Sequence, residues 1–217
     1  MALLADSQLL LSPGKGDMLR AWMNKHLDQR CLSNRPKRAV YIGASNGDLP
    51  EFYQMAIEIC AAWNINQVIH VQCVADLVAL HPQDVDVVLL AGGDVTLGWS
   101  FLSQLPIKQW LNDYSADNGV FVGVSAGAIH LSNAYISEHS VAFLGYHAAC
   151  IVAHEEREGW PTARAWQAWA SREPQQVKKQ GQLPLIGLPF GGGLLVDSEA
   201  TLPVGNGIEV FQLERER

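Results

Sequence analysis

Gly119-Val120-Phe121-Val122-Gly123-Val124-Ser125-Ala126-Gly127-Ala128-Ile129-His130-Leu131 constrains this chain more than any other stretch. Its first half is apolar and β-branched, as a buried strand requires, and its second half is alanine-rich with helix propensity. A strand that becomes a helix within so few residues crowds its own backbone. Gly123 and Gly127 flank Ser125 at two residues on either side, relieving that crowding and leaving the serine Oγ exposed. This is the pattern of a nucleophile elbow, in which free N–H groups at the helix start favour an attacking oxygen or an oxyanion. A strand-to-helix turn serving structure alone does not need serine at its apex.

Strands and helices alternate on both sides of this stretch. A strand begins within Ala2–Leu11, a helix follows from Met18 to about Leu27, and Arg38–Ile42 reads as a buried strand. Gly43-Ala44-Ser45-Asn46-Gly47-Asp48 then leads to a helix ending near Trp63, with Asp48 and Glu51 as a capping box and Pro50 in the first turn. Phe52, Ala56, Ile59 and Trp63 share one helical face. Gln67–Gln72 and Val85–Leu90 are further strands, the second apolar throughout, as in a parallel sheet covered on both faces. It ends in Ala91-Gly92-Gly93-Asp94, and helical segments lie on either side of Pro106. After the elbow, Ala148–Ala153 ends at His154-Glu155-Glu156, and Trp160-Pro161-Thr162 opens a helix to about Ser171. Arg172–Gln182 reads as a polar connection. Leu183–Leu188, Gly193–Val196, Thr201–Val204 and Ile208–Leu213 are short strands, with Asn206-Gly207 as a type I′ hairpin signal. The order predicts an α/β fold: a doubly wound, mostly parallel sheet with helices on both faces and a C-terminal antiparallel hairpin region, formed as one domain over residues 1–217. Functional residues should gather at the carboxyl ends of the strands.

Charge and cysteine content narrow the partners. Lys+Arg number 15 against 22 Asp+Glu, a net charge of −7, and the longest basic cluster is Arg35-Pro36-Lys37-Arg38, so neither nucleic acid nor a membrane is an expected partner. Cys31, Cys60, Cys73 and Cys150 are widely spaced in apolar surroundings and read as buried thiols of a reducing compartment. No signal peptide or transmembrane span is apparent, and the expected location is the cytoplasm. No metal site or cofactor is expected. Gly43–Gly47 fits neither common nucleotide-binding glycine pattern.

A serine hydroxyl needs a base within hydrogen-bond reach, and of seven histidines His154 is best placed because it ends an apolar strand on the functional edge. His130 shares the helix that follows Ser125 and should point elsewhere, while His70, His81, His139 and His147 lack comparable context. An oxyanion needs two convergent N–H donors: Ala126 supplies one, and Gly92 or Gly93 can supply the other. The acid that would orient His154 stays open among Glu156 (same strand face), Glu158 (same helical face) and Glu138. Each also reads as a solvated carboxylate, and Trp160, Trp166 and Trp169 read as core.

With these residues in place, the chain resembles the serine peptidase family of aspartyl dipeptidase (dipeptidase E) and cyanophycinase, which has a class I glutamine amidotransferase-like fold. The resemblance rests on Ile42-Gly43-Ala44-Ser45, Ala91-Gly92-Gly93-Asp94, Gly123-Val124-Ser125-Ala126-Gly127-Ala128, the strand reaching His154, and Ile186-Gly187-Leu188 through Leu194-Leu195-Val196. It implies Ser125 as nucleophile, His154 as general base, and Gly93 with Ala126 as oxyanion donors. Gly92, Asp94 and Arg157 would then contact a small peptide or aspartyl-linked amide hydrolysed through an acyl-enzyme, and a homodimer is left open. Asp94 stands where the family usually has asparagine. Pro189 and Phe190 stand where it has its triad glutamate, so Glu156 or Glu158 would have to replace that acid. Arg157 and Arg164 are the basic residues available for an aspartate side chain. Phe190 also motivates a competing expectation, a catalytically silent amidotransferase-like protein that binds a small metabolite or a partner. An esterase or amidase of non-peptide substrates is a third.

Overall fold

A computed structural model of the chain describes residues 1–12, 14–30, 35–136, 139–172 and 183–211. The chain runs β1 (Ala2–Leu4), α1 (Gln8–Leu11), α2 (Asp17–Arg30), β2 (Arg38–Ile42), α3 (Pro50–Ala61), β3 (Gln67–Val71), α4 (Val74–Val78) and β4 (Val87–Leu90). It continues with α5 (Val95–Leu102), α6 (Leu105–Ala116), β5 (Val120–Val124), α7 (Ala126–Leu131), β6 (Asn133–Ile136), β7 (His139–Ala142) and β8 (Cys150–Ala153). Last come α8 (Pro161–Arg172), β9 (Leu185–Leu188), β10 (Gly192–Val196), β11 (Thr201–Gly205) and β12 (Glu209–Phe211).

The apolar runs form a seven-stranded sheet in the order β11-β10-β1-β5-β4-β2-β3. Strands β1, β5, β4, β2 and β3 are parallel, and β10 and β11 add an antiparallel margin. Side-chain alternation splits the core in two. Leu4, Tyr41 and Leu89 face α2 and α3, whereas Leu3, Val40 and Val88 face α5, α6 and α7. Helices therefore cover both faces, as the continuous apolar strands imply.

A second, five-stranded sheet, β12-β9-β8-β6-β7, was not separated from the first in the sequence. Ile151 and Ile186 on one of its faces join the core around α7. Cys150, Val152 and Leu185 on the other pack against Trp160, Trp166 and Trp169 of α8 and the residue before it. All three tryptophans are buried, so the aromatic-rich segment is core.

Several local expectations are corrected. The first strand stops at Leu4 because the Asp6 carboxylate accepts the Gln8 N–H at 2.7 Å, turning the chain into α1. The Asp48–Glu51 capping box does not form: Leu49 is the N-cap of α3, and Asp48 accepts from or donates to His70 Nε2 at 3.0 Å according to the shared proton. Phe52 turns outward from the helical face buried by Ala56 and Ile59. Asn206-Gly207 closes no hairpin. It carries the chain from β11 in one sheet to β12 in the other, with the Asn206 side-chain amide donating to the Phe190 carbonyl at 2.6 Å. The antiparallel hairpin instead joins β10 to β11 around Asp197, whose Oδ1 accepts the Glu199 and Ala200 N–H groups, each at 2.9 Å. Cys60 and Cys150 are buried but Cys73 is exposed; burial pushes the Cys60 thiol up to about 12. Cys31, Glu138 and 173–182 lie outside the described residues.

Candidate active site

Strand β5 ends against the start of α7, and the two glycines there are sterically required. A Cβ on Gly123 would lie 2.6 Å from the Gly127 carbonyl carbon, and one on Gly127 would run into the Leu90 carbonyl. Between them Ser125 adopts φ 50° and ψ −110°, a conformation that costs a non-glycine residue on the order of 1–3 kcal/mol. Two backbone bonds hold it there: the Ser125 N–H donates to the Leu4 carbonyl at 2.8 Å, and the Ser125 carbonyl accepts the Ile129 N–H at 3.1 Å. The elbow is thus tied to its neighbouring strand β1 as well as to its own helix.

His154 reaches the serine from the other sheet. It follows the last residue of β8, has φ 48°, and donates its N–H to the Leu188 carbonyl at 2.8 Å. Its Nε2 lies 2.8 Å from Ser125 Oγ. The hydroxyl can donate to that nitrogen when the ring proton is on Nδ1. Of the remaining histidines, His130 is buried with Nε2 2.9 Å from the Val95 carbonyl, and His70 pairs with Asp48. His81 is exposed on a loop. Desolvation holds the pKa values of both His130 and His147 below the ordinary imidazole value.

The Gly92–Gly93 turn follows β4 and passes beside the elbow. A Cβ on Gly92 would lie 3.2 Å from Ser125 Cβ, and one on Gly93, at φ 135°, would run into the Ser45 carbonyl. Ser45 anchors the turn by accepting the Asp94 N–H at 2.7 Å. Neither the Gly93 nor the Ala126 N–H meets a hydrogen-bond partner among the described residues. Asp94 turns its carboxylate back to cap α5, accepting the Leu97 N–H at 2.7 Å, rather than toward the serine. Sequence reasoning missed Ser45 and Gly98 as supports of this turn. Gly98 packs so closely that a Cβ would meet Ser45 Oγ and lie 2.6 Å from the His130 ring. A glycine inside a helical pattern just after Gly-Gly-Asp was the available signal.

No carboxylate among the described residues pairs with His154. Glu156 instead accepts the Phe190 N–H through Oε1 at 3.2 Å, with its Oε2 buried and unpartnered. Glu158 is exposed. Glu155, which the sequence did not single out, caps α8 by accepting from the Thr162 N–H and Oγ1 at 3.0 and 2.7 Å. The Arg157 guanidinium sits 5.5 Å from the centre of the Phe190 ring. Arg164 donates to the Gly159 carbonyl at 2.6 Å.

On the α3 side of the elbow lies a cavity of about 220 Å³, bounded by the Gly92–Gly93 turn and Val124 and extending to Tyr41, Phe52 and Met55. Among the described residues, no group of three or more His, Cys, Asp or Glu is arranged to hold a metal ion. No helix among them is long and apolar enough to cross a membrane.

Comparison with protein-family models and with curated protein sequences finds no match. Solved structures do match. A peptidase from an acI-B1 actinobacterium superposes with a TM-score of 0.69 over 99% of this chain and 94% of its own, at 17% identity. A putative peptidase E protein from Listeria monocytogenes EGD-e gives a TM-score of 0.61 over 95% of this chain and 98% of its own, at 8% identity. The chain shares their mixed α/β fold.

Proposed function

We propose that this protein is a serine-type peptidase that hydrolyses a small peptide or amide through an acyl-enzyme, with Ser125 as nucleophile and His154 as general base. The 2.8 Å approach of Ser125 Oγ to His154 Nε2 carries this reading, because the two groups come from different sheets and meet at hydrogen-bond distance. The strained serine and the peptidase-named structural neighbours support it.

In this reading Oγ attacks the scissile carbonyl carbon while its proton passes to Nε2, and the developing oxyanion accepts the Gly93 and Ala126 N–H groups. The tetrahedral intermediate collapses as Nε2 returns the proton to the leaving nitrogen, releasing the amine and leaving the ester on Ser125. Water then donates a proton to Nε2 as its oxygen attacks the ester. Collapse returns that proton to Oγ and releases the carboxylic acid. Among the described residues no carboxylate pairs with His154, so none of them gives its tautomer and its imidazolium the usual stabiliser. Loss of that function costs about 10⁴-fold in a comparable triad, so slow turnover is expected. The lack of such a carboxylate among the described residues also favours a second reading, a silent binding protein. The orientation of the ring toward Ser125 weighs against it.

A fluorophosphonate probe tests the assignment. Native protein should label at Ser125, Ser125→Ala should not, and His154→Ala should label at least 10²-fold more slowly because the hydroxyl loses its base. Absence of labelling on native protein would leave the binding-protein reading.

A further inference from the structure

The cavity beside the elbow fits a particular kind of substrate. The Gly92–Gly93 turn is both its wall and the backbone alongside Ser125, while Val124, immediately before the nucleophile, lines it too. A group held there would therefore be attached close to the reacting carbonyl. Every described side chain lining the cavity is uncharged: Leu10, Tyr41, Phe52, Met55 and Ile59 are among them, and Ser7 and Asn46 add polar atoms. At about 220 Å³ it exceeds the roughly 150 Å³ that suffices for benzene in an apolar protein cavity. It is smaller than the ~300–1,000 Å³ typical of sites for whole cofactors or drug-sized ligands. Its size matches one side chain.

We propose that this cavity receives an apolar side chain adjacent to the scissile bond, so that the preferred substrates are small peptides or amides carrying leucine-like or phenylalanine-like groups rather than aspartate. The inference rests on Ser125 being the nucleophile. A carboxylate entering the cavity would lose its hydration with no cation among the described lining residues to replace it. The two arginines near His154 are committed elsewhere, Arg157 over Phe190 and Arg164 on the Gly159 carbonyl. An apolar group gains about tenfold in kcat/KM for each methylene well buried in such a pocket.

The test is a panel of dipeptides with leucine, phenylalanine, aspartate or glycine on either side of the scissile bond, with fluorophosphonate labelling of the same protein preparation. Leucyl or phenylalanyl substrates should exceed both the aspartyl and the glycyl ones by at least tenfold in kcat/KM. Met55→Arg should lower the leucine-to-aspartate ratio by at least tenfold. Phe52→Arg, at a position 40% exposed and hence tolerant of charge, should shift it in the same direction if Met55→Arg does not fold. If Ser125 labels and the panel is cleaved with aspartyl or glycyl substrates equal to or better than leucyl ones, the cavity assignment is overturned and the peptidase reading stands. If nothing labels and nothing is cleaved, both fall.

Discussion

Ser125 shows the cost at which a single residue is held in place. Its backbone sits in a region that only glycine visits freely, and the surroundings enforce this through the Leu4 carbonyl and the closely packed Gly123 and Gly127. The glycines are consequently the most fragile part of the site. Gly127→Ala forces a methyl group into the Leu90 carbonyl, and overpacking of this kind costs about 1–3 kcal/mol. The variant should melt several degrees lower and lose most fluorophosphonate reactivity. Retention of full labelling with an unchanged melting temperature would show that the elbow backbone has more room than described. These glycines and the serine were legible in the sequence because the constraint is local: a strand cannot enter a helix that abruptly with side chains at those positions. That no carboxylate among the described residues pairs with His154 was foreshadowed by Phe190. Where Glu156 would turn instead was not, since its partner is a backbone N–H 34 residues away.

Among the elements, α7 carries both Ser125 at its start and a buried histidine near its end. His130 is fully buried, bonded at Nε2 to the Val95 carbonyl and unpartnered at Nδ1. Desolvation depresses its pKa, with the Val95 hydrogen bond and Asp94 opposing. The folded chain therefore binds this proton less readily than the unfolded chain. Stability from this group is fully present above the ordinary value of 6.5 and is lost as pH falls from there toward the depressed folded value. His147, lowered chiefly by burial, acts in the same direction. Melting temperature should thus drop between about pH 7.5 and about pH 5.5, and His130→Gln, which keeps a donor for Val95, should show a smaller drop. An equal drop in both proteins would assign the acid sensitivity to other groups. Element boundaries failed in the sequence reading wherever a side chain redirected the backbone, as Asp6 does after β1. The Asn206-Gly207 signal failed for a different reason: its local turn preference says nothing about which sheet each flanking strand joins.

For the molecule as a whole, the site depends on how two sheets are held against each other. Ser125 belongs to the seven-stranded sheet and His154 to the five-stranded one, and the core around α7 joins them. The outer face of the small sheet is pressed by α8 and by Trp160 just before it, whose ring lies over Gly187 so that a Cβ there would come within 2.8 Å of it. Gly187→Val should displace α8 and shift β9, which pairs with β8 one residue before His154. The expected outcome is about 1–3 kcal/mol of destabilisation with secondary structure retained, and labelling of Ser125 slowed at least tenfold as the histidine moves. Unchanged labelling would mean that the position of His154 is set by β8 alone.

From the sequence alone came the alternation of strands and helices, the elbow with its serine, the Gly-Gly turn and the histidine at a strand end. All of these are imposed by backbone crowding and apolar periodicity over a few residues, which a linear reading can register. Only the tertiary structure decided that the strands divide between two sheets, that Asp94 and Glu156 turn away from the serine and histidine, and that a cavity lined by uncharged described residues opens beside Ser125. Those outcomes depend on contacts between residues tens of positions apart, where burial and hydrogen bonding in the assembled fold override what each segment prefers by itself.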